Sequence, residues 1–390
     1  MSRSAWQCSR RSATGQQLTT GRDWRHDPVW LQWQPAGPTQ ANWLRMSNSS
    51  IPAQERWSRY WGEGVLHSLP GVFKGNYGGA FRGHWRSVFS DLHSGDRLLD
   101  IGTGNGAVAL LAAEVAAENG IVLSIDAIDQ ASIDPVTKAR EHAGELIDSI
   151  CFHPQIGMET LPFDGSSFDH ITGQYALEYA DVEMTANSLQ RVIRPGGRLS
   201  LVMHHDESVI MAGGRKTLSD AGEALDRLNF PGIVTEMIER IDQASRNGSL
   251  ESLKADPGAE RARQQLNQAA VRLQALLTDE PGGHFLRLLL SQSRELLSQA
   301  GKQPGIELIQ RLQDLSSSLH LQRQRMADLL DCRCDAGGRE QIKKSLSQAG
   351  FRSIRSGLLH DQTLGKRTLV GWWLEANSAD RNSGESGSKA

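Results

Sequence analysis

Residues 97–106 place the tightest constraint on this chain. They read Arg97, Leu98, Leu99, Asp100, Ile101, Gly102, Thr103, Gly104, Asn105, Gly106, and a helix-forming run over 107–117 follows at once. An apolar run, then glycines at every second position, then an alanine-rich stretch spell strand, tight turn and helix N-terminus. Such a turn needs positive φ, and a ligand can approach its backbone only where no Cβ stands in the way. The helix start adds unpaired N–H groups and the positive end of a dipole.

Two cofactor classes use such a joint. Gly102, Gly104 and Ala107 loosely fit the G-x-G-x-x-A of dinucleotide folds. Asp100 argues for the other class. In a dinucleotide fold its place is usually apolar, whereas a carboxylate there suits a cationic ligand or hydrogen bonds that shape the loop. S-adenosyl-L-methionine (SAM) carries a sulfonium and an ammonium. The string LLDIGTGNG at 98–106 resembles the first motif of class I SAM-dependent methyltransferases. The plainer alternative is a strand–turn–helix joint with no ligand.

Further strings follow in order. Gly120 closes the first helix, and residues 121–129 read as the next strand, ending in Asp129. A carboxylate at that strand end can accept both ribose hydroxyls of an adenosine. Asp126 is a rival on the same strand; the parity of the strand and the resemblance to the family's second motif both favour Asp129. A helix cap is the plainer role for Asp129. A helix is expected over 131–143 and a third strand over 149–154. Leu161, Pro162, Phe163, Phe168 and Asp169 resemble the family's "LPF…SFD" segment, where an apolar loop borders the adenine. The family often has an acid for the adenine amino group where this chain has Gly157. That contact would then fall to the backbone of Met158 or to Glu159. Strand four ends near Gln174, and residues 175–179 lead over the mouth of the site. A helix over 182–194 precedes RPGGRL at 194–199, which resembles the family's turn into strand five, expected over 199–205. The closest likeness is to the small-molecule branch that includes ubiquinone and menaquinone C-methylases. It implies cofactor contacts from Asp100, Gly102, Thr103, Gly104, Gly106, Asp129, Gln130, Met158, Glu159 and Gln174.

The implied fold class is α/β: a Rossmann-like, seven-stranded, mostly parallel sheet with helices on both faces. An all-helical insert separates strand five from the last core helix. The expected division is 1–56 as a disordered or mis-started tail, 57–210 as the SAM-binding core with an N-terminal lid segment, and 211–337 as a helical cap or insert. Residues 338–376 would be the last helix and last two strands, and 377–390 a disordered tail. Residues 1–45 lack any acid before Asp23 and hold Trp6, Trp24, Trp30, Trp33 and Trp43 without a period. They fit a disordered tail, a transit peptide, or residues upstream of a true start at Met46. Trp57, Tyr60 and Trp61 share one helical face, and Phe73, Tyr77, Phe81 and Trp85 follow; these aromatics either pack the segment onto the core or close over the site. A helix over 81–92 would lead into strand one.

The insert reads as helices over 217–229, 231–246, 257–279, 284–301 and 305–331. Three apolar stripes mark a bundle core: Leu266, Leu273, Leu276, Leu277; Leu286, Leu289, Leu290, Leu297; and Ile309, Leu312, Leu319, Met326, Leu330. A substrate-shaping cap and a homodimerisation arm are its two candidate roles.

Composition is that of an ordinary globular protein, with 38% hydrophobic and 22% charged residues among 390. A net charge of −3 gives no overall footprint for nucleic acid. Cys8, Cys151, Cys332 and Cys334 form no metal-ligand spacing, and a reduced cytoplasm fits them. No apolar run reaches the length of a membrane span.

Methyl transfer is an in-line displacement, and alignment of the partners contributes roughly 7–11 kcal/mol. A base is needed only where the acceptor must lose a proton. Tyr175 and Glu178 after strand four, and His204 and His205 after strand five, are the candidates. The expected activity is methylation of a small or medium organic acceptor. An RNA or protein methyltransferase and a non-catalytic binding protein are the other readings.

Overall fold

A computed structural model describes residues 51–379, apart from 70–72, 74, 249–252, 254–255, 280–281, 333 and 363–365. The expectations for residues 1–45, for a start at Met46 and for residues 380–390 lie outside the described residues. The strands are Arg97–Ile101 (β1), Ser124–Asp129 (β2), Ile150–Pro154 (β3), Phe168–Gln174 (β4), Ile193–Met203 (β5), Phe351–Asp361 (β6) and Thr368–Ser378 (β7). They form one sheet in the order β3–β2–β1–β4–β5–β7–β6. All pairings are parallel except those of β7 with β5 and β6. The fold class read from the sequence is therefore the observed one. The order reverses between β1 and β4, and ligands bind in open α/β sheets at the carboxyl ends beside such a reversal.

Strand β1 shows why both faces are covered. Leu98 packs into one apolar layer with Phe81, Trp85 and Leu111, while Leu99 and Ile101 pack into the other with Phe168, Leu189 and Leu201. A strand buried on both faces must be apolar at every position, so the carboxylate of Asp100 stands out. The helices preceding and following it are Ala53–Gly62 (α1), Gly79–Phe89 (α2) and Ala107–Glu118 (α3). Helix α1 begins at Ala53, inside the span expected to be tail. Helix α2 starts two residues earlier than the expected 81–92 helix and ends three earlier.

The helix expected over 131–143 is replaced by two single turns, Pro135–Lys138 (α4) and Arg140–Ala143 (α5), and a 3-10 turn at Glu145–Ser149. Pro135 disfavours helical backbone at the residue before it. Asp134 therefore becomes the cap of α4, its carboxylate accepting the Thr137 N–H at 3.3 Å. Gly144, at φ 70°, then ends α5. Helix α6 is Val182–Val192, and β5 begins directly after it, so the RPGGR turn is a distortion within the strand. Strand β5 ends at Met203, leaving His204 and His205 beyond it. Strand β7 reaches Ser378, past the expected boundary at 376, because Asn377 and Ser378 pair with Arg198 and Phe351.

The described chain divides into a core unit of residues 50–215 and 324–390 and a helical unit of Lys216–Arg323. Helices Val209–Ala221 (α7), Phe230–Arg246 (α8), Pro257–Gln274 (α9), His284–Gln299 (α10) and Gly305–Asp331 (α11) follow β5, and Ala336–Ala349 (α12) precedes β6. The helical unit has its own core of Phe230, Leu273, Phe285, Leu289, Leu312 and Leu319. The third leucine stripe splits. Met326 and Leu330 pack with Met211 and Leu329, in the core unit, because the last two turns of α11 belong there.

Candidate functional site

Asp100 and Asp129 stand at the carboxyl ends of adjacent parallel strands. Asp100 pairs with Ala127, and Asp129 is one residue past the Ile101–Ile128 pair. Alternation puts both on the face of Leu98 and Ala127. Asp126 faces the opposite layer, bonded to Arg97 Nη2 at 2.7 Å and to His153 Nε2 at 2.8 Å. Of the two, Asp129 is the one that shares a face with Asp100.

The two acids have different local tasks. Asp100 is sealed in, accepting from Thr103 Oγ1 at 2.6 Å and Thr172 Oγ1 at 2.8 Å. It shapes the loop from beneath. Burial pushes its carboxyl up to about 7, against the pull of those two hydroxyls. Asp129 accepts the Gly104 N–H at 2.8 Å with one oxygen and the Ala131 N–H at 2.8 Å with the other. Burial raises it to about 6. Each oxygen keeps a lone pair, and Asp129 lines a cavity of about 340 Å³. It is at once a turn anchor and a cavity wall.

The glycines are filled in from outside. Gly102 borders the cavity, and a Cβ there would run into Ala176. Gly104, at φ 55°, lies beneath the Trp61 ring, and a Cβ on Gly106 would come within 2.8 Å of Phe152. Asn105 ties the loop to the end of α1 and the residues after it, through the carbonyls of Trp61 (2.9 Å) and Val65 (2.7 Å). Trp57 and Trp61 stack at 6.0 Å and both line the cavity. Tyr77, Phe81 and Trp85 lie instead in the core. The aromatics before β1 thus divide into a wall and a packing layer.

Gln130, Met158, Tyr175 and Glu178 also line the cavity. Thr103, Gly104, Gly106 and Gln174 do not; Gln174 turns inward and accepts the Trp85 Nε1–H at 2.6 Å. Glu159 lies outside it too. Its Oε2 stands 2.9 Å from where a Cβ on Gly157 would be, and its Oε1 accepts the Asp181 N–H at 3.3 Å. A carboxylate therefore sits beside the position where the family's acid is missing.

Of the four base candidates, Tyr175 and Glu178 reach the cavity. Tyr175 has φ 55°, a costly backbone for an aromatic residue. Its N–H donates to Val202 O at 2.7 Å, its hydroxyl donates to Val370 O at 2.8 Å, and its ring stacks on His204 at 4.0 Å. Burial holds the His204 imidazole down to about 3, so it is a neutral packing ring. His205 Nδ1 lies 3.1 Å from Asp206 and accepts the Glu207 N–H at 3.2 Å. Glu178 Oε1 accepts the His204 N–H at 2.7 Å, while Oε2 is buried with no hydrogen-bond partner. Burial pushes this carboxyl up to about 7.

Three further wall residues, Asp328, Asp331 and Cys332, were not legible as such. They lie far beyond the glycine loop in sequence, at the end of a leucine-striped helix, with no local pattern to mark them.

The methyltransferase-domain family matches residues 92–253. The chain carries a methyltransferase domain over those residues. It is 33% identical over 111 residues to the 27-O-demethylrifamycin SV methyltransferase of Amycolatopsis mediterranei, covering 28% of this chain and 39% of that one. It is 33% identical over 105 residues to the demethylmenaquinone methyltransferase of Symbiobacterium thermophilum, covering 27% and 41%. A ubiquinone/menaquinone biosynthesis C-methyltransferase of Cronobacter sakazakii is 28% identical over 182 residues, covering 46% and 68%. The chain thus spans about two fifths of the length of the first two relatives. The cofactor of such a methyltransferase domain is SAM. The residues present fit it: Gly102 at the cavity wall with no side chain, a carboxylate with spare lone pairs, and no lysine or arginine among the described lining residues.

Proposed function

We propose that the protein transfers a methyl group from SAM to a small or medium organic acceptor. The observation that carries this reading is the meeting of Gly102, Asp129, Gln130 and Met158 in one cavity at the carboxyl ends of β1 and β2. Asp129 would hold the ribose hydroxyls, Gly102 would let the cofactor lie against the loop backbone, and Met158 would border the adenine. Asp100 would act from below, fixing Thr103 and thereby the loop. The cofactor supplies an activated methyl on a sulfonium; the chain's residues align the acceptor and exclude water. The relatives named for a rifamycin derivative and for demethylmenaquinone support a small-molecule acceptor.

Calorimetry and native mass spectrometry with SAM, S-adenosylhomocysteine (SAH) and NAD test the reading. SAH is expected to bind and NAD is not. NAD uptake with indifference to SAH would overturn it.

A further inference from the structure

The lining of the cavity holds carboxylates beyond the one that the ribose hydroxyls call for. Asp129, Glu178, Asp328 and Asp331 all border it, and no described lining residue is basic. Two of these are already balanced. Asp129 is tied to backbone N–H groups, and Asp328 pairs with Arg56 at 2.7 Å. Glu178 and Asp331 have no ion pair among the described residues. Glu178 is only 6% exposed, and its Oε2 lacks any hydrogen-bond partner, which is costly for a buried carboxylate unless a ligand supplies one. The remaining wall is aromatic: Trp57 packs edge-on to Tyr179 at 6.1 Å, and both line the same space. Carboxylates beside ring faces attract a cation through both charge and the ring quadrupole. They repel a phenolate, a carboxylate or a phosphate.

Resting on the SAM reading above, we propose that the methyl acceptor is a protonated amine, held by Glu178 and Asp331 against Trp57 and Tyr179, with Glu178 Oε2 accepting its proton. An ammonium has no lone pair and cannot be methylated until a proton leaves. The N–H proton passes to Glu178, and the freed nitrogen lone pair forms the N–C bond. The S–C electron pair stays on sulfur, and Glu178 returns its proton to water. The product is an N-methylated ammonium with SAH. The His204 N–H on Oε1 holds the carboxylate in place for this role.

The test uses the full chain saturated with SAH. Tyramine and tryptamine are titrated calorimetrically against the matching alcohols and carboxylic acids. The amines are expected to bind about 10- to 100-fold more tightly, the range of a charge-assisted hydrogen bond. Glu178→Gln keeps the Oε1 acceptor; it is expected to abolish that preference while SAH affinity stays within about twofold, a change too small for the loss of a direct contact. Asp331→Asn, at the exposed rim, should reduce the preference even if the Glu178 variant fails to fold. Alcohols or acids binding as tightly as the amines would overturn the proposal. So would a Glu178→Gln variant that loses SAH as strongly as amine, because the carboxylate would then serve the cofactor. Absence of SAH binding by the wild type would instead overturn the cofactor reading, and the amine proposal with it.

Discussion

Arg56 and Asp328 lie 272 positions apart in the sequence and share a forked ion pair, Nε to Oδ2 at 3.0 Å and Nη2 to Oδ2 at 2.7 Å. The pair ties α1, which carries Ala53, Gln54, Trp57 and Trp61 to the cavity, to the last turn of α11, which carries Asp331. The two side chains are 11% and 23% exposed, so neither charge is well solvated. Removing one leaves the other poorly compensated. Asp328→Ala is expected to destabilise the protein by about 1–3 kcal/mol and to weaken SAH binding. Urea unfolding and calorimetry measure the two effects; unchanged values in both would show that the pair holds nothing in place.

Asp129→Ala should weaken SAM and SAH binding by about 10- to 100-fold. The variant loses a wall of the cavity and also frees the N–H groups of Gly104 and Ala131. Asp126→Ala, whose side chain faces the other layer, should leave SAH affinity nearly unchanged. Equal losses from both variants in calorimetry would remove Asp129 from the site.

Gly104→Ala meets two obstacles. Its backbone is left-handed at φ 55°, a cost of about 1–2 kcal/mol for a residue with a Cβ. The new methyl would also collide with the Trp61 ring. The variant should shift tryptophan fluorescence and lower the melting temperature. Adding Trp61→Ala should recover part of the loss, so the double variant is less destabilised than the sum of the two. Strict additivity would separate the two residues.

Asp100 supplies a pH dependence whose sign can be worked out. Its folded-state value, about 7, lies above its ordinary 3.8. Between those values the native state holds a proton that the unfolded chain has released, so stability falls as pH rises. The contribution is complete below about pH 4 and is lost as pH climbs through about 7. Buried His67 and His204, held down to about 4 and about 3, act in the opposite direction over the same range, so the wild type alone conceals the effect. Asp100→Asn does not titrate, and either threonine hydroxyl can turn to meet it. Relative to wild type it should gain at least about 1 kcal/mol between pH 5 and pH 8, since a tenfold difference in proton affinity between folded and unfolded chains is worth about 1.4 kcal/mol. A constant difference across that range, in denaturant unfolding, would show that Asp100 is not held protonated.

Excising Lys216–Arg323 tests the division of the chain. Gly214 packs against Leu329 and Leu330, so the two ends of the cut lie near each other within the core unit. A short glycine–serine bridge should leave a folded core that still binds SAH. Loss of cooperative unfolding would show that the core does not stand alone. A cut over 212–336 is not equivalent, because it removes Asp328, Asp331 and Cys332 from the cavity wall.

The sequence by itself determined the sheet, the glycine bend and the placement of Asp100 and Asp129 on one face of neighbouring strands. Those depend on local rules: the two-residue period of a strand, the φ that only glycine accepts freely, and a carboxylate where a buried strand should be apolar. Local rules also went wrong locally, at Pro135, where one ring broke the expected helix over 131–143. Only the tertiary structure decided that Asp328, Asp331 and Cys332 share a wall with Trp57 and Glu178. It also decided that Gln174 faces inward and that Glu159 stands beside Gly157. Such contacts join residues far apart along the chain, and no periodicity encodes them. They exist because α1 packs on Ala131 and Ile133 while the end of α11 packs on Met211, and the charges the two helices carry must then find partners or a ligand.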